Sequence, residues 1–141
     1  MISPSSIDVK DLKVHFPVKK GIFSFNPGYV KAVDGVSFSF QRGETLGIVG
    51  ESGCGKSTTA RAILRLVKPT SGSITVNGED ISKLSGKSLR SYRKKVQAVF
   101  QDPLASLNPR HTVLESLTEG MIYHALCDRG DCRDAAVELL E

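Results

Sequence analysis

The chain has 141 residues, of which 40% are apolar and 24% charged, with a formal net charge of +4. That is ordinary for a soluble globular protein and long enough for one modest domain with a real core. The Lys and Arg residues are scattered rather than gathered into a basic tract, so a nucleic-acid partner is not expected. Cys54, Cys127 and Cys132 give an odd count without a CxxC pair, which argues against a disulfide framework and fits a reducing cytosol. No apolar run approaches the roughly 18 residues of a membrane span, and Met1–Lys10 has no signal-peptide pattern. The expectation is a chain that neither is secreted nor crosses a membrane by itself, any membrane association coming through a partner.

In chain order, Ile7, Val9, Leu12, Val14 and Phe16 predict a strand, and Ala32–Phe40 a second with Val36, Phe38 and Phe40 on one face. Between them Pro17–Val30 reads as an inserted loop, because its prolines and glycines oppose regular pairing. After the turn at Gln41–Glu44, Thr45–Val49 is nearly continuous in apolar residues, the pattern of a strand buried on both faces. Lys56–Val67 has helical spacing with Ala60, Ile63, Leu64 and Val67 on one side, and Pro69 and Gly72 stand beyond its end. Ser73–Val76 predicts a strand closed by the Asn77-Gly78 turn signal. Lys87–Lys95 predicts a short basic helix and Val96–Phe100 a further apolar strand. Asp102–Arg110, with two prolines, is a loop. Thr112-Val113-Leu114-Glu115 matches a capping box opening a helix to about Leu126. Cys127–Asp131 is a polar connector, and Arg133–Glu141 begins another helix.

The chemistry concentrates at Gly50-Glu51-Ser52-Gly53-Cys54-Gly55-Lys56-Ser57, which satisfies GxxxxGK[ST]. A predicted strand precedes the motif and a predicted helix follows it, as a phosphate-binding P-loop requires. Glycines let consecutive backbone N–H groups turn inward around anionic oxygens. The helix start adds its open amides and positive dipole end. In this pattern Lys56 reaches the β- and γ-phosphates, Ser57 ligates Mg²⁺, and Thr58 offers a further hydroxyl. Glu51, Ser52, Gly53 and Cys54 contribute backbone amides. The expected ligand is a magnesium nucleotide, and by itself the motif leaves kinases, GTPases, motors and transport ATPases open.

GESGCGKSTT at 50–59, KPTSGSITVNGEDI at 68–81 and VQAVFQDPLASLNPR at 96–110, together with YVKAVDGVSFSFQRGETLGIVG at 29–50, closely resemble the ATP-binding subunit of an ABC transporter. More narrowly, they resemble the oligopeptide and dipeptide importer branch. The resemblance implies an α/β P-loop NTPase with an N-terminal antiparallel β subdomain (1–44, with the inserted loop 17–30), part of a P-loop core (45–101) and the start of a helical subdomain (102–141). It implies ATP and Mg²⁺ as cofactors, and places Gln101 where the family has the Q-loop glutamine that meets Mg²⁺ and the attacking water. It also implies an aromatic residue stacking on adenine: Phe16, with Tyr29 as the alternative.

The partners implied are transmembrane permease subunits, a second ATP-binding subunit (identical or sister) and, indirectly, a solute-binding protein, at the cytoplasmic face of a bacterial or archaeal cell membrane. The family's signature motif, its strand ending in Asp-Glu and its switch histidine are not in the sequence. His15, His111 and His124 do not occupy the switch position. The reading is therefore an N-terminal part of a transport ATPase that alone binds ATP without hydrolysing it. The alternative is another P-loop enzyme, such as a small-molecule kinase.

Overall fold

The computed structural model describes residues 6–18, 28–102, 107–128 and 130–140. They divide into two compact units, Met1–Val96 and Gln97–Glu141.

The first unit is built on an antiparallel sheet. Strand β1 spans Ser6–Val18, β2 Gly28–Gln41, β3 Ser71–Val76 and β4 Glu79–Asp80, in the order β2-β1-β3-β4. The long hairpin runs further than its composition suggests. Pro17 lies opposite Tyr29 and Val18 opposite Gly28, so both ends of the expected 17–30 loop are paired strand. Lys19, Lys20, Phe23 and Phe25 of that loop lie outside the described residues. A register shift between Val9 and Leu12, with Asp11 at φ 45, inserts one extra residue into β1. That bulge turns Val9, Leu12 and Val14 onto one buried face despite their uneven spacing. Asn77 and Gly78 both take positive φ (53 and 82) in the two-residue turn joining β3 to β4.

Helix α1, Lys56–Ile63, and helix α2, Gly86–Lys95, complete this unit, with a short 3₁₀ turn at Ile81–Lys83. Val9, Leu12, Val14, Val33, Ala62, Ile74, Ile81 and Tyr92 form the core. The prediction carried α1 to Val67, but Arg65 adopts a left-handed conformation (φ 56) and ends it. The Leu66 amide donates to the Arg61 carbonyl and the Arg65 amide to that of Ala62, the paired bonds of a Schellman stop. The Tyr92 hydroxyl donates to the Ile63 carbonyl at 2.7 Å, and the Arg93 guanidinium to that of Arg65 at 2.9 Å, so α2 clamps the end of α1.

Two expected strands are absent from the sheet. Thr45–Val49 and Val96–Phe100 carry no regular secondary structure, and Val49 and Val99 are 91% and 101% exposed. A strand buried on both faces exists only with neighbours on each edge and cover above and below. Among the described residues no strand pairs with either segment.

In the second unit, α3 spans Val113–Tyr123 and α4 Cys132–Glu138, packed together through the buried Thr118, Cys132 and Ala136. The capping box at Thr112 is present. Its hydroxyl accepts from the Glu115 amide while the Glu115 carboxylate accepts from the Thr112 amide at 2.7 Å. Ala125, at φ 53, stops α3 in the same manner as Arg65 stops α1. Cys127 and Cys132, expected to stay unpaired, form a disulfide, their Cα atoms 5.6 Å apart. Cys54 is free and exposed.

Candidate functional site: a phosphate-binding loop

The segment 50–55 turns sharply into α1. Gly50, Gly53 and Gly55 all have positive φ (153, 84 and 100). Gly55 is the helix N-cap, with no side-chain cap and no acidic residue in the first turn. The first amides of α1 are thus left to an outside acceptor, and no carboxylate competes with an anion there.

The glycine at 55 is demanded twice over. Its left-handed backbone disfavours any side chain, and a Cβ there would run into the Ala32 carbonyl oxygen. The loop therefore lies against β2. At Gly50 a Cβ would press on the Cys54 sulfur at 2.7 Å.

The Lys56 ammonium folds back across the loop, donating to the Gly50 carbonyl at 2.7 Å and the Glu51 carbonyl at 2.6 Å, with the Cys54 sulfur at 3.6 Å. Two neutral carbonyls hold the charge without neutralising it, so the ammonium keeps its pull on an anion. Thr59 is buried, its hydroxyl donating to the Gly55 carbonyl at 3.1 Å, which anchors the first turn from beneath. Ser57 is exposed and Thr58 half-buried.

A cavity of about 300 Å³ opens beside this loop, lined in part by Lys31, Asp34, Ile48, Cys54, Gly55 and Lys56. At its hairpin side Lys31 donates to Asp34 at 3.1 Å and His15 sits 3.0 Å from the same carboxylate. The hydrogen bond from Lys31, then that from His15, holds the Asp34 carboxyl below its usual range.

The same hairpin carries the two aromatic candidates. Phe16 lies opposite Val30 and is 41% exposed; Tyr29 lies opposite Pro17 and is 59% exposed. Successive positions alternate faces, so Phe16 and Tyr29 point to opposite sides of the hairpin. Both stand within three β2 positions of Ala32, whose carbonyl meets the loop. Gln101 is exposed and belongs to the second unit.

The structure thus brings Gly50, Glu51, Ser52, Gly53, Cys54, Gly55, Lys56, Ser57 and Thr58 into one turn. Two contributors were missed by sequence reasoning, Ala32 and Thr59. Thr59 had a signal, a hydroxyl residue four places beyond Gly55. Ala32 had none, because its part is played by a backbone carbonyl.

A glycine-lined turn delivering open amides at a helix start, with one lysine folded over it, has the form of the phosphate loop of a P-loop nucleotide-binding protein. The loop suits a polyphosphate: the first turn of α1 carries no acidic residue to repel an anion, and the Lys56 ammonium lies across the loop.

Residues 33–140 match the ABC transporter family, and the chain belongs to it. This decides against the alternative of another class of P-loop enzyme. The chain is 52% identical over 135 residues to the oligopeptide transport ATP-binding protein AppF of Bacillus subtilis, covering 95% of this chain and 41% of that protein. It is 50% identical over 131 residues to the oligopeptide transport ATP-binding protein OppF of Salmonella typhimurium, covering 91% and 39%. With the dipeptide transport ATP-binding protein DppF of Escherichia coli the identity is 43% over 130 residues, covering 92% and 39%.

The chain therefore spans about two fifths of the length of these relatives. Among solved structures, the dimeric, post-hydrolysis ATP-binding cassette MJ0796 bound to ADP and Pi is similar at a TM-score of 0.72 and 26% identity, covering 95% of this chain and 55% of that one. Its likeness bears out the P-loop NTPase fold class, although the flanking strands expected here are not formed. Among the described residues no helix is long and apolar enough to cross a membrane.

Proposed function

We propose that this chain is the nucleotide-gripping part of an ATP-binding subunit that powers import of peptides or similar small solutes. The observation that carries the reading is the turn at 50–57, where left-handed glycines and the Lys56 ammonium converge on the uncapped start of α1. The peptide-transport relatives supply the cargo class.

In this reading the loop amides from Gly50 to Thr58 bind the phosphate oxygens. Lys56 leaves its carbonyl partners to meet the β- and γ-phosphates, an exchange of neutral acceptors for charged ones. The Ser57 hydroxyl holds Mg²⁺, and Gln101 keeps the Q-loop role that the family resemblance implies for it. One hydroxyl and few protein ligands suit a hard ion that keeps several waters. Phe16 stacks on adenine, supported by its exposure on the hairpin that bears on the loop. Bound ATP supplies the phosphoryl group whose transfer to water drives transport.

Partners in this reading are transmembrane permease subunits, a second ATP-binding subunit and, through them, a solute-binding protein, with the chain peripheral at the cytoplasmic face. The 141 residues hold no Asp-Glu strand end to act as general base, so we assign them binding and not turnover. Calorimetric titration with ATP, with and without Mg²⁺, and a phosphate-release assay on the same chain test this. Binding strengthened by Mg²⁺ without steady turnover is expected. No heat of binding at millimolar ATP would overturn the nucleotide site, and multiple turnovers would overturn the division of labour.

A further inference from the structure

We propose that Cys127 and Cys132 are a reversible dithiol–disulfide site that fastens the start of α4 to the chain leaving α3. Three observations carry this. First, α4 has only seven residues and its N-cap, Asp131, makes no side-chain capping bond, whereas α3 has a complete capping box. A helix of that length does not persist through its own hydrogen bonds. Its first residue is Cys132, so the link to Cys127 stands where a cap would be.

Second, Cys132 is 2% exposed and packed in the α3–α4 contact, while Cys127 is half-buried, so an outside thiol reagent reaches one sulfur before the other. Third, the Cys132 sulfur lies 3.1 Å from the Asp128 carbonyl oxygen. In the reduced form the thiol has an acceptor already in place, so opening the link leaves no orphaned donor. Both redox forms are provided for locally.

The chemistry closes with a low-molecular-weight disulfide as oxidant. The Cys127 thiolate attacks one sulfur of that disulfide, expelling one thiolate and leaving a mixed disulfide. The Cys132 thiolate then attacks the Cys127 sulfur and expels the second. Two protons and two electrons leave the pair, and the oxidant becomes two thiols. Reduction by a dithiol or by excess monothiol runs the same steps backwards.

The test equilibrates the whole chain across ratios of reduced to oxidised glutathione, alkylates, and reads the peptides by mass. Hydrogen exchange of residues 132–138 is followed on the same samples. The expected result is that Cys127 and Cys132 gain label together in one two-electron transition, apart from Cys54. Exchange in α4 should rise about tenfold on reduction while α3 stays protected, and Cys127→Ser should exchange like the reduced protein at every ratio. Independent labelling of the two cysteines, α4 exchange that ignores redox state, or α3 unprotected in both forms would each overturn the proposal.

Discussion

The Lys56 ammonium donates to the carbonyl oxygen of Gly50 at 2.7 Å, closing the loop on itself across six positions of chain. The residue proposed to bind phosphate thus also braces the loop that presents it. Lys56→Ala should weaken ATP binding at least a hundredfold by calorimetry, since a charged hydrogen bond and an ion pair are lost. The unfolding midpoint should barely move, because the bond lies at an exposed site. Wild-type affinity in a folded variant would remove the loop from consideration.

Gly55→Ala should destabilise the first unit by more than about 2 kcal/mol, through a left-handed residue with a side chain and a collision with the Ala32 carbonyl. Urea unfolding measures it. A cost within about 0.5 kcal/mol would show that the loop does not lie against β2.

Tyr92 is buried, and burial pushes its phenol up to about 12. A raised folded-state value means that stability is fully present below the unfolded value near 10 and is lost as pH rises towards 12. Tyr92→Phe should remove that alkaline loss and cost about 1 kcal/mol at neutral pH, where the bond to the Ile63 carbonyl goes. Denaturation at pH 8 and in the alkaline range compares the two; an unchanged alkaline slope in the variant counts against the clamp.

Hydrogen bonds from the Thr112 backbone and then its hydroxyl hold the Glu115 carboxyl below its usual range. The lowered value means that the capping box contributes above the unfolded carboxylate pKa and is lost as pH falls through the folded one. Protection of the first turn of α3, followed by hydrogen exchange, should therefore decline in acid. In Glu115→Gln the decline should flatten, and an identical pH profile would argue that the carboxylate plays no part in the cap.

Much of the fold and site was legible because it rests on short-range rules. The loop glycines, the Thr112–Glu115 box and the Asn77-Gly78 turn are each decided within a few residues of chain. The uneven apolar spacing of β1 was also readable, though only the bulge at Asp11 explains why it buries one face. Pro17 and Gly28 misled, because at Pro17 β1 pairs with β2 alone, and a proline is tolerated where a strand is bonded on one edge.

By itself the sequence determined the P-loop, its lysine, the helix starts and the family, since each depends on residue type at fixed spacing. Tertiary structure decided the rest. It set Ala32 against Gly55, stopped α1 at a left-handed Arg65 clamped by α2, paired Cys127 with Cys132, and left Thr45–Val49 and Val96–Phe100 outside the sheet. Apart from the disulfide, which joins residues five apart in sequence, each outcome turns on what a distant segment offers at contact: a carbonyl oxygen, a guanidinium or a neighbouring strand edge. Such partners come from the folded chain and not from local spacing.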